Sequence, residues 1–115
     1  MTKAGFRRIA LTLPGAEERQ HMRHPDFRVS GKIFATMGYP GPGWAMVRLT
    51  PVDQQAFVAM CPSAFTPVKG KWGEQGCTNV SLKAAPVGAV REALRAAYEA
   101  IEKRHVRRPR GTRGR

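Results

Sequence analysis

Acidic residues are scarce in this chain: eight Asp and Glu stand against 20 Lys and Arg, for a formal charge of +12. Few carboxylates are left for paired acid and base chemistry. Glu17 and Glu18 are adjacent in an expected turn, and Glu99 and Glu102 share the solvent face of a helix pattern, so neither pair reads as a reaction centre. Cysteine is almost as rare. Cys61 and Cys77 lack a CxxC spacing, and no apolar run is long enough for a signal peptide or a membrane span. A cytoplasmic protein with reduced thiols and no membrane partner is expected. No GxxxxGK[ST] is present and no GxGxxG joins a strand to a helix, which argues against nucleotide hydrolysis. Ser30, Ser63 and Ser81 have no nucleophile elbow around them. No repeat of domain-building period occurs.

What the chain does contain is enough apolar residue, 42%, for one domain with one core in 115 residues. Half of the positive excess sits in residues 104–115, which hold six arginines and no acid. The expected division is a folded body over 1–103 and a basic, disordered tail over 104–115. Such a charge distribution attracts polyanions, because surface potentials of several kT steer encounter. For the tail alone, a solubilising role and a binding role are equally open.

Along the body, Phe6, Ile9, Ala10 and Leu13 recur at helical spacing after Thr2, and Pro14-Gly15 stops the helix. Residues 16–24 are polar and carry no clear period. Phe27 and Val29 alternate up to Ser30-Gly31, and Ile33, Ala35 and Met37 alternate with Lys32, Phe34 and Thr36, which predicts a tight hairpin. "GYPGPG" is a connecting loop, and "WAMVRLT" is the next strand. Thr50-Pro51-Val52-Asp53 is a helix start whose stripe would be Val52, Ala56, Phe57 and Met60. A loop-rich stretch over 63–77 precedes a strand from Thr78 with Val80 and Leu82 on one face. The last helix steps through Val87, Val90, Leu94, Ala97 and Ile101. This order predicts an α+β fold, an antiparallel sheet with helices on one face and the other face open.

Three segments carry a likeness to a known family: "LTLPGAEE", "HPDFRVSGKIFATM", and "KGKWGEQGCTNVSL" ahead of an alanine-rich helix. In that order, over roughly residues 5–103, they resemble the MmcQ/YjbR family. The resemblance implies a compact α+β domain with two β-rich projections likened to a double wing, and an assignment to DNA binding. It implies no catalytic residue and does not extend to the arginine-rich tail.

Candidate contacts follow from charge and aromatic placement. Arg28 and Lys32 bracket the Ser30-Gly31 turn, and Arg48 and Lys83 sit on neighbouring strands. Trp72 lies between Lys69 and Lys71; packing at the core edge is its favoured reading, and a flat face for a base is the other. Gly70, Gly73 and Gly76 around it suit a turn better than a phosphate cradle. Arg107, Arg108 and Arg110 in the tail would add phosphate contacts. His21, His24 and Asp26, with Cys77 as a fourth group, form only a weak metal pattern, so no metal and no cofactor is expected. The expected function is non-enzymatic binding of nucleic acid, DNA first, through phosphates. The alternatives are a protein-interaction module using the open sheet face with Met37, Met46 or Trp44, and, third, a small-ligand or metal enzyme on His21, His24 and Asp26.

Overall fold

A computed structural model describes residues 1–113, with side chains described through Arg104. Thr2 caps the first helix, α1 (Lys3–Thr12), by accepting the Gly5 amide at 3.0 Å, and Phe6, Ile9 and Ala10 form its buried stripe. Six strands follow: β1 (Glu17–His21), β2 (His24–Val29), β3 (Lys32–Met37), β4 (Trp44–Arg48), β5 (Phe65–Pro67) and β6 (Cys77–Ser81). They form one antiparallel sheet in the order β1-β2-β3-β4-β6-β5. Between them lie α2 (Pro51–Met60) and the four-residue α3 (Lys71–Glu74), and α4 (Val87–Arg113) follows β6. The expected tail over 104–115 falls almost wholly on side chains outside those described.

Helices cover one face of the sheet, as the alternation requires. Phe27, Ala35, Val47 and Thr78 stand in register across four strands and point toward the helices, where Phe6 meets Phe27 with ring centroids 6.0 Å apart. From α4, Val90, Ala93, Leu94 and Ala97 complete the core. The opposite face carries Asp26, Thr36, Met46 and Asn79 in the adjacent register.

Four local readings of the sequence are corrected. Phe34 does not point away from Ala35: a bulge between β2 and β3 leaves Phe34 without a register partner, so it turns to the helix side, fully buried against Tyr98 at 5.9 Å. Met37 is buried on the same side and offers nothing to a partner. The polar stretch 16–24 contains an entire edge strand, β1, which has no apolar alternation because every residue in it is exposed. It pairs with β2 through a turn at Met22 and Arg23, both at positive φ (48° and 68°) without a glycine to announce it.

The fourth correction concerns α2. Val52 and Met60 of its expected stripe are exposed, and the residue it buries is Gln54. The Gln54 amide donates to the carbonyl oxygens of Gly73 and Cys77, both at 3.0 Å, and lies 3.2 Å from Thr78 Oγ1. Polar anchoring replaces apolar burial here, while Phe57 packs on Phe65 with ring centroids 5.4 Å apart. Gln54→Leu strips those buried oxygens of their donor and is expected to cost about 2 kcal/mol. Urea denaturation checks this; an unchanged midpoint would show that the amide contributes no net stability.

Candidate nucleic-acid interface

Antiparallel pairing sorts the connections to two ends of the sheet. Val29 pairs with Lys32, Arg48 with Cys77, and Pro67 with Thr78, so the β2–β3 turn, the end of β4 and the β5–β6 connection share one end. That end carries Arg28, Lys32, Arg48, Lys69, Lys71 and Trp72. Lys83 follows β6 at the opposite end, beside the β1–β2 turn and the 38–43 loop, and is separated from the others by the length of the strands.

The glycine-rich segment 70–76 is a turn that delivers β6 to the core. Gly73 and Gly76 are buried because backbone crosses them: a Cβ on Gly73 would lie 1.6 Å from the Val68 carbonyl oxygen, and one on Gly76 would lie 1.9 Å from that of Leu49. This close approach, and not ligand cradling, explains both glycines. Trp72 is held outward by the same turn. It is 63% exposed, against the expectation that it seals the core edge. The short α3 places it between two solvent-facing lysines, where its ring is free on the surface.

Lys32 and Arg48 do converge. With Arg104 of α4 they line a cleft of about 450 Å³, whose wall also includes Ser30, Leu49, Thr50, Pro51, Gln75 and Ile101. The Ser30 hydroxyl donates to Glu102 at 3.0 Å, tying the β2–β3 turn to α4 and shaping one side of the opening. Arg104 lies on α4 one residue past the end of the helix that the sequence predicts. Carrying the stripe one step further, Ala97, Ile101, Arg104, would have placed it on the inward face.

Arg28 is not free for phosphate. Its guanidinium holds Asp26 through Nε at 2.8 Å and Nη2 at 3.1 Å, and His21 Nδ1 lies 2.7 Å from the same carboxylate. Asp26 is fully buried on the face that helices leave uncovered. Hydrogen bonds from Arg28, then those from His21, hold its carboxyl below the usual range against the opposing effect of burial. The sequence showed both residues but not their pairing, since a charged residue two positions along a strand lies on the same face only if the strand is formed.

Among the described residues no three His, Cys, Asp or Glu side chains group as ligands for an ion. His21 is engaged with Asp26, His24 faces Tyr39 at 5.9 Å, and Cys77 is across the sheet on β6. Both thiols are free, and burial pushes that of Cys77 up while nearby Arg48 pulls it down. Arg107, Arg108 and Arg110 lie outside the described side chains. No helix among the described residues is long and apolar enough to cross a membrane.

Two comparisons bear on this geometry. A family model described as YjbR matches residues 11–100, which include the β2–β3 turn, the β4–α2 corner and the glycine-rich turn. The chain belongs to the YjbR family. Its fold is shared by a crystal structure of the Deinococcus radiodurans protein DR2400, described as a DUF419 domain. That match has a TM-score of 0.73 and 18% identity, and covers 89% of this chain and 79% of that one. No match is found among curated proteins. YjbR membership covers the body but stops short of Arg104, so one of the three cleft cations stands beyond the matched region.

Proposed function

We propose that the protein binds nucleic acid, duplex DNA first, through phosphate contacts made by one end of its sheet. The observation that carries this reading is the grouping of cations there: Lys32, Arg48, Lys69 and Lys71 have no ion-pair partner among the described residues, and Trp72 is exposed beside two of them. By contrast Arg7, Arg19 and Arg28 are each bound to a carboxylate. Cations from turns and strand ends can reach phosphates along a backbone without reading base edges, so the binding is electrostatic and tolerant of sequence. An exposed indole adds stacking wherever a base is unpaired or at an end. The arginines of residues 104–115 supply further charge.

The test is a salt-dependent titration of a labelled duplex with the full chain. Lys69→Ala with Lys71→Ala is expected to flatten the slope of log K against log salt by about two units, at about 0.9 per phosphate. Lys83→Ala, at the far end, is expected to leave the slope nearly unchanged. Changing Arg107, Arg108 and Arg110 together to alanine separates the contribution of the C-terminal arginines. If the Lys69 and Lys71 variant keeps the slope and affinity of the parent, the sheet end is not the contact surface.

A further inference from the structure

The cleft formed by Lys32, Arg48 and Arg104 has a shape that contact with a duplex leaves unused. A duplex is a convex rod and its phosphates meet surfaces; a concavity of about 450 Å³ falls within the size range of small-ligand sites. Three cations line it and no carboxylate does. None of the three is ion-paired among the described residues. The acids within two positions of the wall along the chain do not line it: Glu102 accepts the Ser30 hydroxyl, Asp53 sits in the first turn of α2, and Glu74 and Glu99 are exposed on α3 and α4. Like charges gathered in a partly enclosed space repel, and an anion placed among them removes that cost.

Helix α2 begins in the wall, yet its first turn contributes little to anion binding. Pro51 has no amide hydrogen, the Asp53 amide is taken by Thr50 Oγ1 at 3.1 Å, and the Gln54 amide by the Thr50 carbonyl at 2.8 Å. That leaves the Val52 amide as the one first-turn donor without an acceptor among the described residues, so attraction falls mainly to the side chains. Of the three, Arg48 is half-buried at the end of β4, so its planar fork is the best placed for two parallel bonds to one phosphate. The apolar wall of Leu49, Pro51 and Ile101 adds a surface for whatever carries the anion.

We propose that this cleft binds a phosphate monoester carried on a nucleoside-sized body, with Arg48 as anchor and Lys32 and Arg104 as flanking charges. A monoester carries nearly two negative charges at neutral pH, whereas a phosphate within a strand carries one, so three converging cations favour the terminal group. Such a group occurs on a free nucleotide and on the 5′ end of a strand. The claim shares Lys32 and Arg48 with the duplex-contact reading but rests on the cleft, while that reading also needs Lys69 and Lys71, whose double variant tests it separately.

Isothermal titration of the full chain with adenosine monophosphate and with adenosine tests the phosphate requirement. The monophosphate is expected to bind at least about tenfold more tightly, the worth of one charge-assisted contact. Arg48→Ala should erase that difference, Arg48→Lys should restore part of it, and Lys32→Ala, at an exposed turn position, should weaken it without disturbing the strand. Lys83→Ala serves as the charge control. A short thymidine strand with a 5′-phosphate, compared with the same strand ending in a hydroxyl, identifies the source: a tenfold preference for the phosphorylated end assigns the site to strand termini, and equal binding with retained monophosphate affinity assigns it to free nucleotides. Equal affinity for adenosine and its monophosphate overturns the proposal. So does equal weakening by Arg48→Ala and Lys83→Ala, which would reduce the effect to overall charge.

Discussion

Gly76→Ala is expected to destabilise the protein by about 3 kcal/mol or more, because it combines a backbone clash with a disfavoured backbone angle. The new Cβ would stand 1.9 Å from the Leu49 carbonyl oxygen and 2.8 Å from its carbon, at a φ of +113°. Relaxation is blocked by the bond that makes the contact so close: the Leu49 amide donates to the Gly76 carbonyl at 3.1 Å. Moving Leu49 would also disturb Thr50, which caps α2, and Arg48 in the cleft. Gly70→Ala is the matched control. It has a φ of +80° and a ψ of −156°, a region that only glycine adopts readily, but nothing within 4 Å of its Cβ, so only the backbone term applies, about 2 kcal/mol. Urea denaturation of both variants checks the comparison. Equal costs would mean that the crossing of residues 49 and 76 yields easily.

Asp26→Ala is expected to cost about 2–3 kcal/mol at neutral pH, toward the lower end for a broken buried ion pair because the freed Arg28 has partial access to water. The pH dependence has a definite sign. Arg28 and His21 hold the folded-state pKa of Asp26 below its unfolded value, so its stabilisation is fully present above the unfolded value near about 3.9 and fades as pH falls through the lower folded one. Arg28→Ala removes the largest stabilising influence and leaves burial to push the carboxyl upward. Acid-linked loss should then be smaller than in the parent chain, because its onset stays at the unfolded value while the folded value rises toward or past it. Melting temperatures across the acid range test this; an Arg28→Ala curve parallel to that of the parent would show that the pair is not coupled to folding.

Legibility followed the kind of signal each residue emits. Thr2 and Thr50 are read from local chemistry, since a hydroxyl before a helix satisfies amides that the helix itself leaves unpaired. Phe27, Ala35 and Val80 are read from period, because one face of a strand must be apolar when helices cover it. β1 gave no such signal: an edge strand with both faces wet needs no apolar residue, and pairing with β2 and the ion pair from Arg7 to Glu18 hold it in place. Gln54 was hidden for the opposite reason, as its buried amide is satisfied by oxygens 19 to 24 positions away.

Candidate contact residues divided along the same line. Their charge is a property of composition, and the sequence alone established a basic α+β domain of the YjbR type with its excess arginine at the C-terminus. Which cations are free was decided by the folded strands: along β2 Asp26 claims Arg28, while register and the course of α4 bring Lys32, Arg48 and Arg104 to one cleft and send Lys83 to the other end. Local patterns report what a residue can do, because propensity and period act over a few positions. Neutralisation of Arg28 needs β2 to be extended so that Asp26 shares its face, and convergence depends on distances between segments far apart in the chain; only the folded sheet and helices set both.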